Sequence, residues 1–142
     1  MEDLDPKTFW TLVLVLAAAM AYRYMPRWRS KSPFVGAAML KHRLEAGEDV
    51  VVLDVRTARE FESGHIPDAV NVPLADLPTR LKAVDADLAA LKSEPIFIHC
   101  NAEARAAKGA RTLRGAGFTD VSVINGGFTA WRRKKFPIET AG

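Results

Sequence analysis

The chain has 142 residues, of which 49% are hydrophobic and 26% are charged, and its formal net charge is +3. This length suits one domain, or one domain with an appendage, and the composition is typical of a folded protein. From residue 32 onward, fifteen Lys or Arg face fourteen Asp or Glu, so nucleic-acid binding has little support. The single cysteine excludes an internal disulfide, a Cys-rich zinc site and a Cys-x-x-Cys redox pair.

Residues 8–25 are predicted to form a transmembrane helix after a short N-terminal tail, residues 1–7. The uncharged part of this run would span about 22 Å, and extension to Met25 brings it to about 27 Å, against a hydrocarbon core of about 30 Å. The prediction requires Arg23 to reach the interface and Pro26 to end the helix. Aromatic residues typical of a membrane interface flank the run at Trp10, Tyr22, Tyr24 and Trp28.

Two other interpretations of this run stay open. A cleaved signal peptide would offer small-residue cleavage sites at 17–19 or 19–21, but the segment before the run is acidic rather than basic. A core helix of a soluble domain would need a polar face, and this run is apolar on all sides.

Charge predicts the orientation of such an anchor. Only Lys7 precedes the run, whereas a basic linker, residues 26–33, follows it. The positive-inside rule therefore predicts a single-pass protein of the cell membrane whose C-terminal domain faces the cytoplasm. Lipid is then an expected partner, and the small residues Ala17 and Ala21 suit a homodimer formed through the helix.

Residues 34–140 are predicted to form one three-layer α/β domain with a parallel central sheet. Short apolar runs predict strands at 50–53, 70–72, 96–99 and 121–124. Helices are predicted at 34–46, 57–63, 105–116 and 128–134, with one broken helix or two short ones over 76–91. Strands that alternate with helices favour a parallel sheet covered on both faces.

Cys100 follows the strand 96–99, at the sheet edge where functional sites of parallel α/β folds lie. The backbone N–H groups of the next residues have no intrahelical partners, so they are expected to surround an anionic sulfur. A thiolate there is also stabilised by the helix dipole and by Arg105. Cys100 is therefore predicted to be a nucleophile, whereas without this context it would be an inert buried residue.

Four residues separate Cys100 from Arg105, namely Asn101, Ala102, Glu103 and Ala104. A cysteine phosphatase loop needs five, to wrap phosphate and still bring an arginine round. The position one further on is Ala106, so phosphatase chemistry is excluded by this spacing. The smaller loop suits a smaller cargo, a single sulfur atom.

Three segments resemble a rhodanese domain in order and spacing: LDVRTAREFESGHIPDAVNVP at 53–73, the Cys100-x4-Arg105 loop, and GGFTAW at 126–131. The resemblance implies a sulfurtransferase. Its loop cysteine takes a sulfane sulfur from thiosulfate or a small persulfide, holds it as a persulfide, and passes it to a thiol or protein acceptor. Arg105 and the four loop residues before it would bind the substrate, with no metal or organic cofactor.

The loop departs from the common family pattern Cys-x-Ser-Gly-x-Arg-Ser at Ala102, Glu103 and Ala106. If position 103 needs a positive φ, a glutamate there costs about 1–2 kcal/mol. Its charge also opposes thiosulfate, so thiosulfate is expected to be a poor donor. The alternative function is a non-catalytic rhodanese-fold module that binds or senses at the membrane.

Several polar residues near this loop are expected to have structural roles. His99 should face away from the site, because adjacent strand residues point to opposite faces. Asp54 is expected to hold neighbouring loops, and His65 to serve packing in a turn. Gly126 and Gly127 are expected to form a turn.

Overall fold

A parallel sheet organises the computed structural model, which describes residues 5–30, 32–83 and 90–141 and, at 23–30, the backbone alone. Within these residues the strands are β1 (Phe34–Val35), β2 (Val51–Asp54), β3 (Val70–Asn71), β4 (Ile96–His99) and β5 (Val121–Ile124). Their order across the sheet is β1-β5-β4-β2-β3, and every neighbouring pair is parallel. The predicted parallel sheet is confirmed.

The helices that the structure describes are α1 (Pro6–Ser30), α2 (Ala37–Glu45), α3 (Ala58–Glu62), α4 (Leu77–Lys82), α5 (Ala104–Gly115) and α6 (Gly127–Arg133). A short 3-10 turn covers Leu91–Ser93. The capping box predicted at the start of α3 is present.

Two apolar clusters, one on each face of the sheet, form the core. Side chains alternate along β4, so Ile98 packs with Leu113 of α5, whereas Phe97 packs with Leu40 of α2 and Trp131 of α6. Helices therefore cover both faces of the sheet, which confirms the predicted three-layer α/β architecture. The carboxyl end of β4 lies between β2 and β5, and the Cys100 loop begins there.

The first helix of the domain is shorter than predicted. Phe34 and Val35 belong to β1, where Phe34 pairs with Val123, and α2 begins only at Ala37. Two adjacent apolar residues fit a helical pattern and a strand pattern equally well. Phe34 and Val35 form a strand because they pair with β5. In the predicted helical region 76–91, the structure describes α4, and residues 84–89 lie outside the described part.

The N-terminal helix differs from its prediction. It continues through Pro26, so the expectation that Pro26 ends it is wrong, and residues 26–30 of the predicted linker are helical. A proline removes one N–H donor, and the turns on either side keep theirs. In the part of the chain that the structure describes, no helix has the length and apolarity to cross a membrane, so the predicted transmembrane helix is not supported.

Candidate active site

Cys100 lies at the floor of the loop between β4 and α5. Only 2% of its surface is exposed, and it joins the apolar cluster between the sheet and α5. The following residues Asn101, Ala102 and Ala104 are exposed, whereas Arg105 is half-buried. The cysteine is therefore buried, and the five residues after it are exposed or half-buried.

The N-terminus of α6 holds the carbonyl groups of this loop. The Phe128 N–H donates to the Cys100 carbonyl oxygen at 2.7 Å, and the Thr129 N–H donates to that of Asn101 at 3.1 Å. In a trans peptide the C=O and the next N–H point in opposite directions. The N–H groups of Asn101 and Ala102 therefore point away from α6.

Several N–H groups of this loop have no acceptor in the part of the chain that the structure describes. Within the described residues, the backbone N–H groups of Asn101, Ala102, Ala104 and Arg105 donate no hydrogen bond. N–H groups at a helix start that lack partners, together with the helix dipole, favour an anion. The loop can therefore hold a thiolate, a persulfide or a small oxyanion.

Gly127 allows α6 to approach the loop this closely. A Cβ at this position would overlap the carbonyl oxygen of Cys100 and lie 2.5 Å from that of Ala102. Gly127 also has a φ of +54°, a conformation that L side chains rarely adopt. The structure confirms the predicted turn at Asn125 and Gly126, whereas Gly127 is already the first residue of α6, where it seats the loop.

Glu60 fixes the guanidinium of Arg105. Arg105 Nη1 donates to Glu60 Oε2 at 2.8 Å, and Nη2 donates to Oε1 at 2.9 Å. The side-chain amide of Asn101 donates to the same Oε1 at 3.0 Å. Glu60 is also the acidic member of the capping box with Thr57, so α3 itself positions this carboxylate.

This pair is a strong electrostatic unit. The hydrogen bond from Arg105 is the main cause that lowers the pKa of Glu60 from 4.5 to about 2, although partial burial opposes it. The pKa of Arg105 is raised, first by its hydrogen bonds to Glu60 and then by the charges of Glu60 and Cys100. The contact with Glu60 therefore keeps the Arg105 guanidinium charged and fixed in place.

The backbone conformation of Glu103 contradicts the expectation of a strained, positive φ at this position. Its φ is −147° and its ψ is −35°, so it is not in the left-handed region and carries no such cost. It lies immediately before the first residue of α5, a position that does not require a glycine. Its Oε1 accepts a hydrogen bond from the Gly126 N–H at 3.2 Å, which links the loop to the start of α6 a third time.

A buried polar cluster lies beneath the loop. Asp54 is fully buried and accepts hydrogen bonds from the backbone N–H and the guanidinium of Arg56. Arg56 also donates to the carbonyl of Gly64, and the Asn71 amide donates to the carbonyls of Asp54 and Arg56. The expectation that Asp54 holds neighbouring loops is confirmed.

His99 belongs to this cluster and not to the rim. It is fully buried; its Nδ1 lies 3.3 Å from the Cys100 carbonyl oxygen and its Nε2 lies 3.6 Å from Asp54 Oδ2. Burial is the main cause that lowers its pKa, and the charge of Asp54 only partly opposes this. The His99 ring lies 6.2 Å from that of Phe128, a member of the apolar cluster that does not contain Cys100, which supports the prediction that His99 faces away from the Cys100 sulfur.

His65 is a packing residue, as predicted. Its ring stacks on Phe61 with centroids 3.7 Å apart, and its backbone pairs with Glu139. Within the described residues, no group of three or more His, Cys, Asp or Glu side chains is placed to bind a metal ion.

The segments that build this site match a known family. The family model described as "Rhodanese-like domain" matches residues 36–134. This chain belongs to the rhodanese-like domain family. The match spans the strand of Asp54, the Cys100 loop and α6.

Proteins similar to this rhodanese-like chain come from several bacteria. A "Sulfurtransferase" of Allochromatium vinosum is 32% identical over 104 residues, which is 73% of this chain and 92% of that protein. The "Uncharacterized protein YqhL" of Bacillus subtilis is 36% identical over 83 residues, and this chain spans 61% of its length. The solution structure of the rhodanese-like domain of Anabaena Alr3790 has a TM-score of 0.66 at 33% identity, covering 77% of this chain and 80% of that one.

Sequence reasoning missed the partners of the loop. Glu60 has a local signal as a helix-capping residue, but nothing local indicates its contact with Arg105, 45 residues later. The amides of Phe128 and Thr129 carry no side-chain signal at all. Only the resemblance of the segments 53–73 and 126–131 to a family pattern indicates that these regions meet.

Proposed function

We propose that this rhodanese-like protein is a sulfurtransferase in which Cys100 carries a sulfane sulfur as a persulfide. The observation that carries the proposal is that, among the described residues, the backbone N–H groups of Asn101, Ala102, Ala104 and Arg105 donate no hydrogen bond, beside a guanidinium fixed by Glu60. Such a cradle stabilises the thiolate before the reaction and the persulfide anion after it. The name of the Allochromatium relative agrees with this activity.

The chemistry uses two displacements at sulfur. The Cys100 thiolate attacks the outer sulfur of thiosulfate or of a small persulfide, and a new S–S bond forms. The bond between that sulfur and the rest of the donor breaks, and sulfite or a thiolate leaves with the electron pair. An acceptor thiolate then attacks the terminal sulfur of the Cys100 persulfide, which restores the Cys100 thiolate.

Each residue of the loop has a defined part in this proposal. The backbone N–H groups of Asn101, Ala102, Ala104 and Arg105 are the hydrogen-bond donors to the sulfur, and the Arg105 side chain supplies positive charge. The α6 amides keep the carbonyls of the loop turned outward. No step needs a proton from His99, whose neutral ring lies in the core.

A second candidate function is a binding or sensing module that keeps the fold without sulfur transfer. The observation that favours it is the 2% exposure of Cys100, which is the burial of an inert core cysteine. The two functions differ in one property, the ability of Cys100 to accept sulfur.

Intact mass spectrometry of the purified full chain separates these functions. After incubation with thiosulfate or glutathione persulfide, we expect a gain of one sulfur atom that cyanide removes. The Cys100→Ser variant should show no gain. If the folded wild type gains no sulfur from either donor, the sulfurtransferase proposal is wrong and the binding module replaces it.

Association with lipid at the cytoplasmic face of the cell membrane stays a prediction. Apolar side chains of α1 are exposed, among them Trp10 at 63% and Leu14 at 69%. Flotation of the full chain with lipid vesicles tests it, with a Leu14→Glu, Leu16→Glu variant as the control. A wild type that does not float with vesicles contradicts the prediction.

A further inference from the structure

A groove with a volume of about 510 Å³ opens beside Arg105. It lies between α5 and the segment 73–78, which leads from β3 into α4. Most of its wall is apolar, formed by Val55, Pro73, Leu74, Ala75 and Pro78. Arg105 lines the groove and is also the last residue of the Cys100-x4-Arg105 loop, so a molecule bound in the groove contacts a residue of that loop.

The groove also carries positive charge. Besides Arg105, Lys108 lines it from the next turn of α5. Arg105 is paired with Glu60, but among the described residues Lys108 forms no ion pair. The exposed ammonium of Lys108, which has no ion-pair partner in the described part of the chain, lies beside an apolar wall and favours a ligand that combines an apolar body with an acid group.

The volume argues against thiosulfate as the only occupant. Sites for small organic molecules have volumes of about 300–1,000 Å³, and this groove falls within that range. Thiosulfate is far smaller, and its charged oxygens gain nothing from a wall of proline, leucine and alanine. An organic group would remove that wall from water, which is favourable by roughly 25 cal/mol per Å² of apolar surface.

We propose that this groove binds the organic part of a small sulfur donor, one with an apolar body and an acid group, and so selects such donors over thiosulfate. The inference rests on the proposed sulfurtransferase function, because Cys100 must accept the sulfur. Lys108 and the apolar wall are specificity-determining features of the groove. The loop itself handles only the transferred sulfur.

Naphthalenethiosulfonate is a suitable probe because it has an aromatic body, one negative charge and one sulfane sulfur. The Cys100 thiolate attacks that outer sulfur and forms the Cys100 S–S bond. The bond from the outer sulfur to the sulfonyl sulfur breaks, and naphthalenesulfinate leaves with the electron pair. Sulfur and charge balance without an added oxidant or reductant.

The test compares single-turnover loading of Cys100 in the full chain by naphthalenethiosulfonate and by thiosulfate. We expect the aromatic donor to load at least about tenfold faster at equal concentration. Lys108→Glu and Ala75→Glu should each slow the aromatic donor by about tenfold and slow thiosulfate by no more than about threefold. The matched control is Lys134→Glu, which makes the same charge change at an exposed position outside the groove.

A non-reactive compound gives an independent measurement. Naphthalenesulfonate has no sulfane sulfur, and it should inhibit loading by the aromatic donor in the wild type but not in Ala75→Glu. Equal rates for the two donors, with no effect of the groove variants, would overturn the groove inference and leave the sulfurtransferase function intact. An equal loss of the aromatic donor's loading rate in Lys108→Glu and Lys134→Glu would also overturn the groove inference, because it would show a general effect of charge. No loading from any donor overturns the proposed function, and the groove inference with it.

Discussion

The guanidinium of Arg105 and the carboxylate of Glu60 make two parallel hydrogen bonds, 2.8 and 2.9 Å long, across 45 residues of sequence. This pair joins the start of α5 to the start of α3. Asn101 bonds to the same carboxylate, so Glu60 holds both ends of the Cys100 loop. Glu60 is therefore a positioning residue, and its effects should be measurable without contact to the substrate.

Replacing Glu60 by Gln should slow sulfur loading of Cys100 by about tenfold, since a bidentate charge-assisted contact becomes a neutral one. The rate is measured by intact mass after rapid quenching. Glu62→Gln, an exposed neighbour on the same helix, is the control and should load like the wild type. Wild-type loading in Glu60→Gln would show that Arg105 does not need this anchor.

The Glu60–Arg105 ion pair should also affect how the free energy of unfolding depends on pH. Folding lowers the pKa of Glu60 from 4.5 to about 2, so its stabilisation is fully present above about pH 4.5 and is lost as the pH falls toward 2. Because solvent screens the pair, we expect wild type to exceed Glu60→Gln by about 1 kcal/mol in unfolding free energy at pH 6. Denaturant titrations at pH 6, 4 and 3 should show this difference shrinking; a constant difference would contradict it.

His99 should destabilise the protein in mild acid. Its pKa is lowered by burial, so below its usual value of 6.5 the unfolded chain binds a proton that the folded chain does not. Relative to His99→Gln, the wild type should lose up to about 1.4 kcal/mol of unfolding free energy per pH unit below pH 6.5. Chemical unfolding at pH 7.5, 6.5 and 5.5 measures this, and parallel curves for the two proteins would refute it.

Gly127→Ala should disrupt the loop, since the added methyl group meets the carbonyls of Cys100 and Ala102. Together with the left-handed φ, the overlap should cost about 3 kcal/mol and abolish sulfur loading. Thermal unfolding and mass spectrometry measure both effects. Gly115→Ala, where a Cβ meets nothing within 4 Å, is the control and should change stability by less than about 1 kcal/mol. A stable, fully active Gly127→Ala would show that α6 does not seat the loop.

Glu103→Gln should improve thiosulfate as a donor. Glu103 does not adopt the left-handed conformation, so its charge is the feature that opposes an anionic donor, and an amide oxygen can still accept the Gly126 N–H. Removing about 1 kcal/mol of repulsion predicts a gain of about fivefold in the loading rate with thiosulfate. The effect should diminish in high salt. An unchanged rate would show that the carboxylate does not act on the donor.

The sequence predicts the parts of this protein that have local signals. The buried strand before Cys100, the capping box at Thr57 and the parallel sheet follow from apolar runs and helix-start chemistry. Strand β1 could not be predicted, because Phe34 and Val35 become a strand only by pairing with β5. The course of α1 through Pro26 was likewise missed, since proline more often ends a helix than continues one.

The same distinction, between features with a local sequence signal and features without one, applies to the candidate site. Cys100 and Arg105 are found from their place after a strand and before a helix. The Glu60 contact and the amides of α6 depend on tertiary packing, which a local pattern does not encode. Backbone amides are also identical for every residue except proline, so their role leaves no trace in composition.

The hydrogen bonds from α6 to the Cys100 loop affect which side chains of the family pattern can vary. Main-chain groups of Phe128 and Thr129 set the shape of the ring around Cys100, and Gly127 gives them room. The side chain at 102 is therefore not needed to hold the ring together, whereas Glu103 adds a further link through the hydrogen bond that it accepts from the Gly126 N–H. A serine can be exchanged for Ala102 without rebuilding the loop, which leaves that position open to change.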